Sequence, residues 1–184
     1  MTTAYRPAHE LMDEIAKGSL SPSALMEESL ARIAAINPKI NAIVALRDEA
    51  ALMDEACAMD AAPLKGPLHG LPFAVKDLVA TKGITSSWGS PIFKDFVPSK
   101  DDLLAARLRA AGAILIGKTN VPEFGLGSHS FNPIYGITKN PYDLEKSAGG
   151  SSGGAGAALA AGLVSLADGS DMMGSLRNPA AWNN

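Results

Sequence analysis

Leu71-Pro-Phe-Ala-Val75 and Ala113-Ile-Leu-Ile116 decide the fold, because each is a short, almost wholly apolar run. Runs of that length read as strands buried on both faces. Between them, Asp101 to Ala111 places Leu103, Leu104 and Leu108 at helical spacing, which predicts a helix. Towards the N-terminus, residues 8–17 carry Leu11, Met12 and Ile15 on one helical face and stop at Gly18. Ser21 then reads as an N-cap with Pro22 in the first turn. The apolar stripe runs through Leu25, Met26, Leu30 and Ile33 to Ile36, where Asn37-Pro38 is expected to end it. Ile40 to Leu46 reads as a strand, and a third helix is expected from about Asp48 to Met59. Towards the C-terminus, the Gly/Ser run Ser147–Gly154 precedes a small-residue helix over Ala155 to Leu163, then a candidate strand at Val164 to Leu166. Helices alternating with short buried strands indicate an α/β fold, with helices flanking a mixed sheet.

Composition narrows the function. The 184 residues suit one ordinary domain. Sixteen Lys and Arg against nineteen Asp and Glu give a net charge of −3, with no basic cluster of the kind that nucleic-acid binding needs. With 47% apolar and 19% charged residues, the chain is not of the disordered class. A single cysteine, Cys57, excludes an internal disulfide framework and a Cys-rich zinc site. Met1 to Glu10 lacks the basic and apolar regions of a secretory signal, and no apolar run reaches 18 residues. The expectation is therefore a soluble cytoplasmic chain that binds neither membrane nor nucleic acid.

Two motifs match by letter and fail in context. Gly112-x4-Gly117-Lys118-Thr119 fits the phosphate-loop pattern, but its inner residues Ala-Ile-Leu-Ile belong in a strand, and Pro122 stands where a helix should be starting. Gly149-Gly-Ser151-Ser-Gly153 fits the α/β-hydrolase elbow, whose histidine base comes after the serine. His9, His69 and His129 all precede Ser151 and read as surface or turn residues.

Three elements survive. Lys76 ends an apolar run, where poor solvation makes its neutral amine accessible for base chemistry. A salt bridge to Asp77 is the plainer reading. Ser151 and Ser152 lie among four glycines directly before a helix, where a flexible linker is the alternative. Ser175 lies in Gly169-Ser-Asp-Met-Met-Gly-Ser-Leu-Arg177, a turn heading into a helix, where it would otherwise serve as an N-cap.

Together they resemble the amidase signature family. The resemblance rests on Gly66-Pro-Leu-His-Gly-Leu-Pro-Phe-Ala-Val-Lys-Asp77, Ala110-Ala-Gly-Ala-Ile-Leu-Ile-Gly-Lys-Thr-Asn-Val-Pro-Glu123 and Tyr135-Gly-Ile-Thr-Lys-Asn-Pro141. It continues through Gly149-Gly-Ser-Ser-Gly-Gly154 and Gly169-Ser-Asp-Met-Met-Gly-Ser-Leu-Arg-Asn-Pro-Ala180. It implies an amidase-signature fold and hydrolysis of a small-molecule amide through an acyl-serine, with no metal and no cofactor. Ser175 would be the nucleophile, Ser151 a bridging serine joined to Gly150 by a cis peptide, and Lys76 the base. Ser152 would support the network, and backbone N–H groups around Met172, Met173, Gly174 and Ser175 would form the oxyanion hole.

Within the family, the alternative is the glutaminase component of a glutamyl-tRNA amidotransferase; outside it, a fragment without activity. Met173 stands where the family usually has glycine, and so adds a side chain beside the oxyanion hole. Family chains are typically more than twice as long, so residues 1–184 are expected to be the N-terminal part of one domain. Residues 1–62 would form a helical layer and 63–184 the signature core. Ala155 to Leu166 would then lie bare without a larger core, and the chain would dimerise or aggregate.

Overall fold

The computed structural model describes residues 3–184. Two strands form where the apolar runs predict them: Pro72–Lys76 and Ile114–Thr119, every residue of both buried. Numbered in chain order, the helices are α1 (Ala8–Ala16), α2 (Pro22–Ile40), α3 (Glu49–Asp60), α4 (Leu103–Ala110), α5 (Gly153–Ala160) and α6 (Arg177–Asn183). The strands are β1 (Ile43–Val44), β2 (Pro72–Lys76), β3 (Ile114–Thr119), β4 (Phe131–Asn132), β5 (Gly136–Ile137), β6 (Lys139–Asn140) and β7 (Asp143–Ser147). In the main sheet β3 is central, parallel to β2 and antiparallel to β1, which makes the sheet mixed. The parallel pair needs a crossover connection, and α4 lies within it.

Side chains alternate across β2 and β3 as the pleat requires. Ala74, Ile114 and Ile116 join one cluster with Met26, Leu30 and Ile33 of α2, Leu52 and Ala56 of α3, and Ala157 and Ala158 of α5. Phe73, Val75 and Leu115 face the other way, against Ala105 and Leu108 of α4. The register slips between Phe73 and Ala74, where Leu115 and Gly117 become successive partners and Ile116 is bulged out. A bulge reverses the alternation beyond it. Lys118 therefore pairs with Val75 on the α4 face, while Thr119 pairs with Lys76 on the α5 face.

Three expectations need correction. The second helix does not end at Asn37-Pro38: Pro38 lies within its last turn, and the stop is Asn41, in the left-handed region at φ 52°. Pro38 costs the helix its own N–H bond, and just beyond the helix Asn37 accepts, through Oδ1, the N–H groups of Ala42 and Ile43. Val164 to Leu166 is not a strand. The sheet contact nearby is a single parallel bridge from Ala167 to Ala74. Nor does Ala155 to Leu166 lie bare. Ala155, Ala157, Ala158, Ala161, Leu163 and Val164 are buried by this chain, while Leu159 is 39% exposed. Of the histidines, His9 and His129 are exposed, and His69 is a buried turn residue whose ring bonds Lys65 N–H and Met59 O. Among the described residues no helix is long and apolar enough to cross a membrane.

Candidate active site

The C-terminal end of β2 delivers Lys76 to the N-terminal end of α5. Its side chain is 1% exposed, and Nζ lies 2.9 Å from Ser151 Oγ, 2.8 Å from Ser152 Oγ and 2.9 Å from Ser170 Oγ. The lysine therefore does not pair with Asp77, whose carboxylate instead accepts from Ser87 N–H and Ser87 Oγ. Burial pushes the Lys76 amine down to about 8, against the opposing pull of the Asp168 and Asp171 carboxylates.

The Gly150–Ser151 peptide is cis. The glycines around Ser151 have a packing reason. A Cβ on Gly154 would lie 2.2 Å from Asn120 N, and one on Gly150 would lie 2.9 Å from the backbone of His129. Without side chains at these positions, the start of α5 presses directly onto neighbouring backbone. Gly153 N–H is satisfied by Ser130 Oγ, Gly154 N–H by Asn120 O and Ser152 N–H by Ser175 O. These are helix-end donors that would otherwise lack partners.

Ser175 lies on the turn before α6, and Asp171 organises that turn. One carboxylate oxygen accepts from Gly174 N–H at 2.7 Å and the other from Leu176 N–H and Arg177 N–H, while the Arg177 guanidinium caps both. These bonds hold the Asp171 carboxyl well below the usual carboxylate range, the Arg177 contact being the largest cause. Gly174 N–H is thus engaged and does not serve as the oxyanion donor expected of it. The N–H groups of Met172, Met173 and Ser175 have no hydrogen bond among the described residues.

Ser151, Ser170 and Ser175 line one cavity of about 430 Å³, closed by Leu78, Phe124, Leu126, Met172, Met173 and Asn178. Ser175 joins the Lys76 cluster through its backbone carbonyl and this shared cavity. The hydroxyl-to-hydroxyl bond from Ser175 to Ser151 that a closed relay requires is not among the hydrogen bonds of the described residues. Met172 and Met173 are 83% and 85% exposed, so the extra side chain at Met173 stands at the mouth rather than packing under the turn.

The sequence alone passed over four groups. Ser170, Asp168 and Asp171 all stand within or beside the Gly/Ser turn. Only Asp171 left a local signal, an Asp three residues before a glycine, as in turns where the carboxylate takes backbone N–H groups. Lys118, set aside with the phosphate-loop pattern, is a fully buried second lysine whose Nζ donates to Val79 O and, at 2.7 Å, to Thr81 Oγ1. It clamps the turn that carries Leu78 into the cavity. Among the described residues no group of three or more His, Cys, Asp or Glu side chains could hold a metal ion.

Comparison with known proteins places the chain in a family. The profile of the family described as Amidase matches residues 24–184. A glutamyl-tRNA(Gln) amidotransferase component of Thermus thermophilus is 43% identical over 175 residues, spanning 95% of this chain and 36% of that protein. An acylamidase of Rhodococcus erythropolis is 44% identical over 177 residues, spanning 95% of this chain and 37% of that protein. The structure of native peptide amidase from Stenotrophomonas maltophilia superposes with a TM-score of 0.88 at 35% identity, over 97% of this chain and 38% of that one. The chain thus spans little more than a third of the length of these relatives.

Proposed function

Since this chain belongs to the amidase family, we propose that it carries the catalytic serines and lysine of a hydrolase that cleaves carboxylic amides through an acyl-serine. The observation that carries this reading is the 2.9 Å contact between Lys76 Nζ and Ser151 Oγ, on the wall of a cavity that Ser175 shares.

The chemistry follows from proton inventories. A neutral lysine amine has two N–H donors and one lone pair. Ser152 Oγ donates to Ser170 O at 3.3 Å, which leaves it an acceptor towards Lys76. The lone pair is then available to Ser151. Ser175 Oγ attacks the amide carbonyl carbon and its proton passes to Ser151 Oγ as the Ser151 proton passes to Lys76 Nζ. For this transfer Ser175 Oγ must turn towards Ser151, a rotation within the cavity they share. The N–H groups of Met172, Met173 and Ser175 take the developing oxyanion, an interaction worth about 2.7–4 kcal/mol per donor. Lys76 returns the proton through Ser151 to the leaving amine, and water then attacks the acyl-serine along the same route. The burial that lowers Lys76 to about 8 places this base near neutral working pH.

The test is covalent labelling with a fluorophosphonate, followed by peptide mapping, alongside hydrolysis of aryl amides. Label on Ser175 with acid release from the amide supports the reading; label on Ser151 or Ser152 overturns the assignment of roles. A second reading, glutaminase action in an amidotransferase assembly, is favoured by the 43% identity to the Thermus thermophilus protein. It predicts ammonia release from glutamine and no turnover of aryl amides.

A further inference from the structure

Asp168 takes no part in the proton route above, yet it is built into the base. Its Oδ1 accepts the backbone N–H of Lys76 at 2.6 Å. The bridge between Ala167 and Ala74 holds that carboxylate against the end of β2. The charges that act on the Lys76 amine are the carboxylates of Asp168 and Asp171. Asp171 is already matched by Arg177 and by three backbone N–H groups. Among the described residues no guanidinium engages Asp168; burial pushes its carboxyl up, opposed by the Lys76 backbone N–H and its own and by the cations Lys118 and Lys76. Lys118 in turn faces Asp77, Asp101 and Asp102, of which Asp101 is bonded by Arg109. Helix α5, packed against the same strand end, carries no ionisable side chain. Arg6 lines the other side of the cavity that Asp168 borders, with its guanidinium on Glu14. Of the two carboxylates that act on Lys76, Asp168 is therefore the one whose charge is not matched by a guanidinium.

We propose that Asp168 is a positioning residue that fixes the Lys76 backbone through Oδ1 and, by its charge, sets the proton affinity of the Lys76 amine. This rests on Lys76 acting as the base. Burial alone would drive the amine to lose its proton at a lower pH, and the Asp168 carboxylate opposes that by favouring the ammonium form. The acidic edge of the working range is then set by a residue that never meets substrate.

Asp168→Asn separates the two roles, since an amide oxygen can still accept the Lys76 N–H while the charge is gone. The expected result is an acidic limb of kcat/KM displaced to lower pH by about one unit. The ratio of the rate at pH 6 to that at pH 9 then rises up to about tenfold, because one pKa unit changes the neutral fraction tenfold. A structural role alone would lower the plateau and leave the inflection in place. The 15N resonance of Lys76 Nζ, titrated in the 184-residue protein, should move the same way without any need for turnover. If the resonance moves and the rate profile does not, the role of Asp168 stands and the assignment of Lys76 as base falls. If neither moves in a folded variant, the proposal is overturned. The unsubstituted protein gives a second measurement independent of folding defects. A 13C carboxyl shift showing Asp168 ionised at pH 7 supports the proposal, and one showing it protonated overturns it.

Discussion

The two sides of the site are built to opposite requirements. On the side of the proposed base, Lys76 is 1% exposed and its amine is ringed by the hydroxyls of Ser151, Ser152 and Ser170. On the side of the proposed nucleophile, Ser175 stands on a turn whose neighbours Met172 and Met173 lie open to solvent. A base gains from losing water, because desolvation makes the neutral amine available. A nucleophile gains from access, since a carbonyl carbon must reach it. The two sides therefore use different materials: a buried strand end and a glycine-rich helix start for one, and a carboxylate that collects backbone N–H groups for the other.

The strongest test of this division removes each side in turn. Ser175→Ala in the active protein should reduce turnover by more than about a thousandfold, and Lys76→Met nearly as much. The double variant should be scarcely worse than either, because groups that act as a unit do not contribute additively. Additive losses in steady-state kinetics would mean that the two sides do not share one reaction.

Asp171→Ala attacks the nucleophile side alone. It takes the acceptor from Gly174, Leu176 and Arg177 N–H together, so the rate of fluorophosphonate labelling should fall on the order of a hundredfold, much as it does when a single oxyanion donor is misplaced. The Lys76 titration should move to lower pH by less than Asp168→Asn moves it, because Asp171 is the weaker of the two charges acting on that amine. A large shift of Lys76 in the variant would show that the two sides are electrostatically one.

pH probes the base side. Lys76 and Lys118 are both lowered by burial to about 8 from 10.5, so the unfolded chain binds more protons than the native one between those values. Stability should therefore rise as pH climbs from about 8 to about 10.5, with the cost of burying the two ammonium groups fully present below that window. Urea unfolding midpoints across pH 7 to 10.5 measure it; a flat profile would mean that neither lysine is desolvated. The smallest effect is expected at Met173→Gly. An exposed side chain at the cavity mouth should change stability by no more than about 0.5 kcal/mol while altering KM for bulky amides.

Much of the frame was legible in the residues, since β2, β3 and the helix between them follow from apolar runs and helical spacing. The positions of Lys76, Ser151 and Ser175 were legible only through their resemblance to a family. What was not legible depends on contacts between distant parts of the chain. Ser170 meets Lys76 across 94 positions and Asp168 across 92, and no periodicity reports such a meeting. The helix end was misplaced because Pro38 is an ordinary stop signal, while the actual stop is a left-handed Asn41 beside the Asn37 side chain. Val164 to Leu166 has the composition of a strand but forms no ladder there, and composition cannot supply a pairing partner.

The bulge at Ile116–Gly117 gives β3 a reading frame of its own. Pairing β3 with β2 residue for residue, with no bulge, would leave every apolar letter of the strand intact and the core apolar on both faces. It would also swap the faces of Lys118 and Thr119, bringing a second ammonium group up against the three hydroxyls that now serve one. Such a chain could still fold by hydrophobic pattern while carrying two positive charges where the reaction needs a lone pair. This strand should therefore accept changes of apolar side chain far more readily than any change in the register of its pairing with β2.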